Sequence, residues 1–348
     1  MSGPPPPPEA FASLLEEGWE RECKARGHAA QECTLCLAGR EVRVRTIGGT
    51  DIDALLVPLA HLRIPEPSRD PDLTIDVWDD RVAVMGLPSD IAAAPWPPWQ
   101  ASVDGRVISY RYADSAAAMD RAARRIVVAF VRAPSLRSRG RPFNDPLRLW
   151  LADRRIQLLH AGLVARAGKG VIFGGANGSG KSTAALACLR AGYDYLGDDC
   201  VGFATNAGPH HVGYSIFGSV YLEPDHLRSA FPEVTTAIAG QAPHEDKALV
   251  FPSLHFADRM TRSASIRALV LPRRSGRAHA RVTPAPKGEA LLRLAPSSVL
   301  GAPRTHRDGL DDIASLVGAV PCYWLDLGDD PAEIPPRVDE VLSSTPNR

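Results

Sequence analysis

The residues with the clearest chemical meaning lie in one short segment, residues 175–182, which reads Gly-Ala-Asn-Gly-Ser-Gly-Lys-Ser. This segment matches the pattern G-x-x-x-x-G-K-[ST], in which glycines allow backbone N–H groups to turn inward around phosphate oxygens. Lys181 reaches the β- and γ-phosphates as a point charge, and the hydroxyl of Ser182 binds Mg²⁺. The segment therefore predicts a site for a nucleoside triphosphate, ATP, together with Mg²⁺. The predicted nucleotide contacts are Gly175, Ala176, Asn177, Gly178, Ser179, Gly180, Lys181, Ser182 and Thr183.

The residues on either side of this segment have the character that a phosphate-binding loop requires. An apolar run at 170–174 precedes the loop and is typical of a strand, and residues 183–190 favour a helix that ends near Gly192. The N-terminus of such a helix points its dipole toward the nucleotide and favours negative charge there. A glycine-rich turn that binds no nucleotide would not need this order of strand, loop and helix.

Two neighbouring carboxylates, Asp198 and Asp199, follow Lys181 by 17 and 18 residues. A loop helix and a returning strand fit that spacing, so we expect the pair beside the phosphates. Adjacent carboxylates can divide the work of phosphoryl transfer, because one holds Mg²⁺ and the other accepts the proton of an attacking hydroxyl. The alternative is an ordinary turn after a strand, in which two aspartates carry no chemistry.

The chain from His160 through the aspartate pair resembles the catalytic domain of HPr kinase/phosphorylase. The shared features are a leading histidine, a hairpin, a phosphate-binding loop entered from that hairpin, and two aspartates on the next strand. The resemblance implies an α/β P-loop kinase domain of the HPr kinase and phosphoenolpyruvate carboxykinase type, a mixed sheet with flanking helices. It also implies that Asp198 is the catalytic base, that His160 assists it, and that Asp199 binds the metal. The loop motif adds Lys181 to the catalytic residues and Ser182 to the metal ligands. Taken alone, a histidine at such a position more often has a structural role.

One hallmark of that family is missing, and it bears on the acceptor of the phosphate. No Glu-Ile-Arg-Gly-Leu-Gly type of segment follows the aspartates, and residues 214–223 read Tyr-Ser-Ile-Phe-Gly-Ser-Val-Tyr-Leu-Glu instead. The sequence therefore predicts a Mg²⁺- and ATP-dependent kinase that phosphorylates a serine-type hydroxyl of a peptide, a protein or a small metabolite. Two alternatives stay open: a small-molecule kinase of the shikimate or nucleotide-kinase type, and a protein that senses ATP without transferring phosphate.

Composition limits the partners that this chain of 348 residues is expected to bind. Its 40 basic and 40 acidic side chains cancel and no long basic run occurs, which argues against nucleic acid and anionic membranes as partners. No apolar run approaches the ~18 residues that a membrane helix needs, and the N-terminus lacks the pattern of a secretory signal. We therefore expect a cytoplasmic protein, and a homo-oligomer is compatible with these observations.

Changes in the character of the sequence divide the chain into three parts. Residues 1–40 are expected to form a proline-rich tail and one or two helices. Residues 41–145 combine short apolar runs with prolines and predict a smaller α+β domain, which would position the acceptor. Residues 146–348 predict the catalytic domain, introduced by an amphipathic helix at 146–160. Further expected strands lie at 42–47, 54–57, 73–78, 107–112, 215–220, 265–271 and 322–327, further helices at 309–317 and 336–342, a linker at 132–145, and either a helix or strands at 116–131.

The six cysteines are scattered and do not suggest a framework of disulfides. Cys33 and Cys36 form a C-x-x-C pair, which could bind a structural zinc ion together with Cys23 and His28. No second pair follows at the spacing of a zinc ribbon. Ordinary thiols on a helix are therefore the favoured interpretation.

Two other features concern substrate binding. Trp96 and Trp99 lie in a proline-rich stretch and either contact the acceptor or pack into the core of the smaller domain. The chain has only five lysines among its 40 basic residues, so a lysine can have a task that arginine does not perform. Lys247 is accordingly a candidate phosphate or substrate contact, and a surface charge before a strand is the favoured alternative.

Overall fold

The computed structural model describes residues 5–27, 30–48, 50–65, 68–79, 97–204, 211–241, 247–299 and 306–344. His28 and Trp96, which the sequence singled out, lie outside these residues. The chain divides into two compact units, Met1–Trp150 and Leu151–Arg348. Both are mixed α/β structures, and each is described by itself.

The first unit is built on a seven-stranded mixed sheet with the strand order β1-β2-β3-β7-β6-β5-β4. The pairs β2–β3 and β3–β7 are parallel, and the other neighbours are antiparallel. Its strands are β1 (Gln31–Leu37), β2 (Arg40–Ile47), β3 (Leu73–Asp79), β4 (Trp99–Ala101), β5 (Val107–Arg111), β6 (Ser115–Asp120) and β7 (Arg125–Phe130). Its helices are α1 (Pro8–Ala25), a 3₁₀ helix (Thr50–Leu62), α2 (Leu136–Gly140) and α3 (Asn144–Ala152), the last ending just past the division.

Helix α1 covers one face of this sheet through an apolar stripe. Leu15 and Trp19 of the helix are buried in a cluster with Trp78 of β3. Gly18 precedes Trp19 in the helix, and a Cβ atom at this position would overlap the Trp78 ring. The close approach of helix and sheet therefore depends on a residue without a side chain.

An ion triad joins the three parallel strands of the same unit. Asp76 on β3 is completely buried and accepts hydrogen bonds from Arg45 on β2, at 2.6 and 2.8 Å, and from Arg125 on β7, at 2.7 Å. A buried charge is tolerated when it is paired and hydrogen-bonded in this way. Loss of either arginine would leave the carboxylate underpaired, which is costly in a buried site.

Several expectations for the first unit are wrong. The helical region expected up to residue 40 ends at Ala25, and Cys33 and Cys36 lie on strand β1. Because these cysteines are three positions apart on a strand, their side chains point to opposite faces and cannot share a metal ion. The apolar run at 54–57 is part of the 3₁₀ helix, and the supposed linker contains the short helix α2, capped by Ser135. Residues 116–131, left open, form most of the antiparallel pair β6–β7.

The second unit contains a nine-stranded mixed sheet with the order β11-β9-β10-β17-β13-β12-β8, and β19 pairs with both β17 and β18. A separate three-stranded sheet has the order β14-β16-β15. The strands of the large sheet are β8 (Ile156–Leu159), β9 (Gly162–Arg166), β10 (Lys169–Phe173), β11 (Asp194–Gly197), β12 (Val201–Ala204), β13 (Val212–Ser215), β17 (Ser263–Arg274), β18 (Arg281–Pro284) and β19 (Cys322–Leu327). Those of the small sheet are β14 (Val220–Leu222), β15 (Ile238–Gln241) and β16 (Ala248–Val250).

Helices pack against both faces of the large sheet. They are α4 (Lys181–Arg190), α5 (Pro224–Ala230), α6 (Lys287–Val299), α7 (His306–Ala319) and α8 (Ile334–Ser344). On strand β10, Val171 and Phe173 enter the core that includes α4 and α8, whereas Ile172 enters the core that includes α6 and α7. A strand covered on both faces is expected to be apolar without alternation, as β10 is. The described residues include no helix long and apolar enough to cross a membrane.

The expected hairpin before the phosphate-binding loop is confirmed, because β9 and β10 pair antiparallel from Gly162 to Phe173. Strands expected at 265–271 and 322–327 and helices at 309–317 and 336–342 also lie within observed elements of the same type. The helix expected at 146–160 is wrong beyond Ala152, because β8 begins at Ile156. The single strand expected at 215–220 is also wrong, since β13 ends at Ser215 and β14 begins at Val220.

Candidate active site

The phosphate-binding motif forms the loop between β10 and α4. Three of its glycines, Gly175, Gly178 and Gly180, have φ angles of 141°, 76° and 105°, in the region that favours glycine. At Gly180, the residue before α4, a Cβ atom would also overlap the Leu327 side chain of β19. The loop is further attached to the sheet by a hydrogen bond from the N–H of Gly174 to the carbonyl of Val270, at 2.9 Å.

Lys181 is the first residue of α4, and its side chain folds back over the loop. Its Nζ donates hydrogen bonds to the carbonyl oxygens of Gly175, at 2.9 Å, and Ala176, at 3.0 Å. Burial lowers the pKa of Lys181, whereas the negative charges of Asp198 and Asp199 oppose that shift. The ammonium group is therefore enclosed by the loop and electrostatically coupled to both aspartates.

Asp198 follows β11 and is only 1% exposed. Burial, reinforced by the charge of Asp199, raises the pKa of Asp198 to about 6, and the Ser182 hydroxyl, Lys181 and His160 oppose the rise. Among the described residues, neither carboxylate oxygen has a hydrogen-bond partner of good geometry. An unsatisfied buried carboxylate is costly, so its presence beside a phosphate-binding loop calls for a chemical reason.

Asp199 has a positive φ of 66° and pairs with His160. Nδ1 of His160 lies 2.8 Å from Oδ1 of Asp199 and 3.2 Å from its backbone carbonyl oxygen. The other ring nitrogen, Nε2, lies 2.9 Å from Oδ1 of Asn177 in the phosphate-binding loop. The backbone N–H of His160 donates to the hydroxyl of Ser298 on α6, at 3.1 Å. His160 thus stands between the loop and the aspartate pair.

One cleft, of about 600 Å³ with its open mouth, brings most of the predicted residues together. Its lining is His160, Asn177, Gly178, Gly180, Lys181, Ser182, Thr183, Asp198, Asp199, Tyr221, Leu222, Glu223, His226, Lys247 and Arg274. Three predicted nucleotide contacts, Gly175, Ala176 and Ser179, are in the loop but are not part of this lining. The chemical roles assigned to all these residues from the sequence stay predictions.

The lining of the cleft also contains positive charge that the sequence only partly indicated. Lys247, a candidate from the scarcity of lysine, lines the cleft just before β16. Arg274, which the sequence did not indicate, is the last residue of β17, the parallel neighbour of β10. Parallel strands end at the same edge of a sheet, so β17 carries Arg274 to the edge where the loop begins. The pairing of β17 with β10 is the signal that would have identified Arg274 as a cleft residue.

His226 on α5 is a second residue that the sequence did not indicate. Its Nε2 lies 2.9 Å from the hydroxyl of Thr183, the residue after Ser182. Burial and the positive charge of Arg274 lower the pKa of His226, and Glu223 opposes that shift. His226 therefore contacts Thr183 in the first turn of α4, close to the phosphate-binding loop.

The donor set of the cleft fits Mg²⁺ bound together with a nucleotide. Ser182 and Asp199 offer a hydroxyl and a carboxylate, which are oxygen ligands of the kind that this ion prefers. Within the described residues, no group of three His, Cys, Asp or Glu side chains could hold a metal ion by itself. Mg²⁺ in nucleotide sites commonly uses one or two protein ligands, and phosphates and water complete its coordination.

No protein-family model matches the sequence, and no curated protein matches it either. Among solved structures, the HPr(Ser) kinase/phosphatase from Coxiella burnetii is similar, at 15% sequence identity and a TM-score of 0.29. The match covers 53% of this chain and 95% of that protein. The described residues define an α/β protein in which the motif G-x-x-x-x-G-K-[ST] forms the loop between β10 and α4.

Proposed function

We propose that the second unit is an ATP-dependent phosphotransferase that transfers the γ-phosphoryl group to an alcohol hydroxyl of a peptide, a protein or a small metabolite. The observation that carries the proposal is Asp198: a buried carboxylate that has no hydrogen bond of good geometry among the described residues and that interacts electrostatically with Lys181 and Ser182. A pKa of about 6 suits a general base that is ionised at neutral pH and still accepts a proton.

In the proposed reaction, the loop amides and Lys181 bind the phosphates of ATP. The acceptor oxygen forms a bond to the γ-phosphorus, the bond from that phosphorus to the β–γ bridging oxygen breaks, and ADP leaves. Asp198 receives the proton of the attacking hydroxyl. Mg²⁺, held by Ser182 and Asp199, would neutralise charge on the β- and γ-phosphates. Lys247 and Arg274, which line the same cleft, would add positive charge that favours the negative charge developing during transfer.

A protein that only sensed ATP would gain nothing from this carboxylate. Asp198 repels phosphate oxygens, and its burial disfavours the charged form, which raises its pKa. Binding without transfer would therefore be stronger if an amide or an apolar residue replaced it. This cost favours catalysis over sensing.

We further propose the finer assignment of the fold and of the two units. The hairpin β9–β10 that leads into the loop, together with the aspartate pair after the return strand, supports a domain of the HPr kinase and phosphoenolpyruvate carboxykinase type. The first unit would position the acceptor. Trp99, which is 41% exposed on the short strand β4, is the described residue that best supports this role.

The test is phosphate transfer from γ-labelled ATP to components of a lysate of the source cell, with the labelled species identified by mass spectrometry. We expect the wild type to label an acceptor, and we expect Lys181→Ala and Asp198→Asn to reduce labelling at least about 100-fold. Asp198→Asn should still bind ATP, which separates loss of chemistry from loss of binding. Equal labelling by the wild type and both variants would overturn the proposal.

A further inference from the structure

The ring of His160 lies between two side-chain oxygens that belong to different parts of the cleft. Oδ1 of Asp199 is 2.8 Å from Nδ1, and Oδ1 of Asn177 is 2.9 Å from Nε2. The backbone of His160 is fixed separately, by Ser298. The two ring contacts therefore set the rotation of the imidazole, and one of them comes from the phosphate-binding loop.

The two contacts give each side of the ring a separate partner. Nδ1 donates its hydrogen bond to the carboxylate of Asp199, which can only accept when it is ionised. The side-chain amide of Asn177, which can donate or accept, meets Nε2 on the other side. Asn177 therefore determines the hydrogen bond that Nε2 makes.

The phosphate-binding motif itself does not require an asparagine at this position. Position 177 is one of the four variable places of G-x-x-x-x-G-K-[ST], and the loop binds phosphate through backbone N–H groups. The side chain of Asn177 is thus available for a second task. Among the described residues, its side chain contacts the histidine that pairs with Asp199.

We propose that Asn177 is a positioning residue that acts through His160 on Asp199, and so links the nucleotide-binding loop to the aspartate pair. This inference rests on the proposed function, in which Asp199 holds Mg²⁺. A partner that orients a ligating group commonly changes activity or metal affinity by 10–100-fold when it is removed. Asn177 acts on the ligating group Asp199 through His160, so removal of its side chain is expected to lower kcat by about tenfold, the lower end of that range.

The first arm of the test is independent of activity. Nitrogen-15 NMR spectra of histidine-labelled protein report the protonation of each ring nitrogen, and the His160 signals are those absent from His160→Gln. Asn177→Ala should move the Nε2 signal of His160, whereas Asn177→Asp, which keeps an oxygen acceptor, should retain a hydrogen-bonded Nε2. Identical His160 spectra in the wild type and Asn177→Ala would overturn the proposal. The thermal unfolding midpoints of the variants check that the fold is intact.

The second arm is a double-mutant cycle on basal hydrolysis of Mg-ATP, in which water replaces the acceptor. Asn177→Ala should lower kcat about tenfold and leave KM for ATP within about twofold, because the loop amides still bind the phosphates. In the His160→Ala background the same change should cost nothing further. Additive losses, or a loss borne by KM, would contradict action through His160. If the wild type hydrolyses and transfers no phosphate, the proposed function fails, and the NMR arm still decides the role of Asn177.

Discussion

Asp198 combines burial with a position beside cations, and this combination sets how the proposed reaction depends on pH. Its pKa is raised to about 6, chiefly by burial and then by the charge of Asp199. A general base works only when it is ionised, so kcat should rise about tenfold per pH unit below about pH 6 and then level off. Initial rates of ATP turnover from about pH 5 to about pH 8 measure this. A profile that stays flat down to about pH 5 would exclude Asp198 as the base.

The same carboxylate should weaken the folded state at neutral pH. Because its folded pKa lies above the value of about 3.9 in an unfolded chain, its effect on stability is neutral below about pH 4, becomes unfavourable as pH rises from about 4 to about 6, and is then constant. Asp198→Asn should therefore increase the free energy of unfolding at pH 7 by about 1–2 kcal/mol, and change it little near pH 4. Denaturant titrations at both pH values test this.

Asp199 supplies the matched control for that measurement. Its carboxylate is partly exposed and pairs with His160, so Asp199→Asn removes a favourable contact instead of a burial penalty. We expect Asp199→Asn to leave stability unchanged or to lower it at pH 7. If both variants behaved alike, or if Asp198→Asn destabilised the protein at pH 7, Asp198 would be a structural residue.

At the scale of elements, the packing of α1 on its sheet depends on Gly18. Alanine is the better helix former by about 1 kcal/mol, but its Cβ would overlap the Trp78 ring, which is fully buried. The helix or the tryptophan must then move, so Gly18→Ala should lower the free energy of unfolding by about 1–3 kcal/mol. Chemical unfolding monitored by tryptophan fluorescence measures the change.

Gly288 on α6 is the control for that substitution. A Cβ atom there meets no other atom within 4 Å, so alanine brings its helix propensity without a clash. Gly288→Ala should be neutral or stabilising by up to about 1 kcal/mol. A destabilisation equal to that of Gly18→Ala would show that contact with Trp78 is not the cause.

An element can be predicted from the sequence when interactions between residues close together in the chain determine its structure. The loop at 175–182 and the hairpin before it are local, because glycine conformation and a two-residue turn at Ala167 and Gly168 specify them. The apolar run at 54–57 is equally local but became part of a 3₁₀ helix, since a short apolar run does not distinguish strand from helix. Arg274 and His226 reach the cleft only through sheet pairing and packing, about 50 to 100 residues along the chain from the loop, which local patterns do not encode.

At the scale of the whole molecule, each unit has hydrophobic clusters of its own. The cluster around α1 contains residues from Phe11 to Val131, and the two clusters on the faces of the large sheet contain residues from Leu159 to Leu342. None of these three clusters contains residues of both units. A unit that buries its own apolar surface in this way is expected to fold without the other.

The fragment 144–348, which keeps α3 whole, should therefore fold and bind ATP on its own. We expect its Kd for ATP to lie within about threefold of that of the full chain, because all lining residues of the cleft are in the second unit. Phosphorylation of the cellular acceptor should fall by at least about tenfold, because the first unit is proposed to position that acceptor. Calorimetry and label transfer measure the two effects, and Lys181→Ala in the fragment controls for specific binding. If the fragment binds ATP and also phosphorylates the acceptor at the full rate, the first unit does not position the acceptor. If the fragment folds but does not bind ATP, part of the nucleotide site lies outside the cleft.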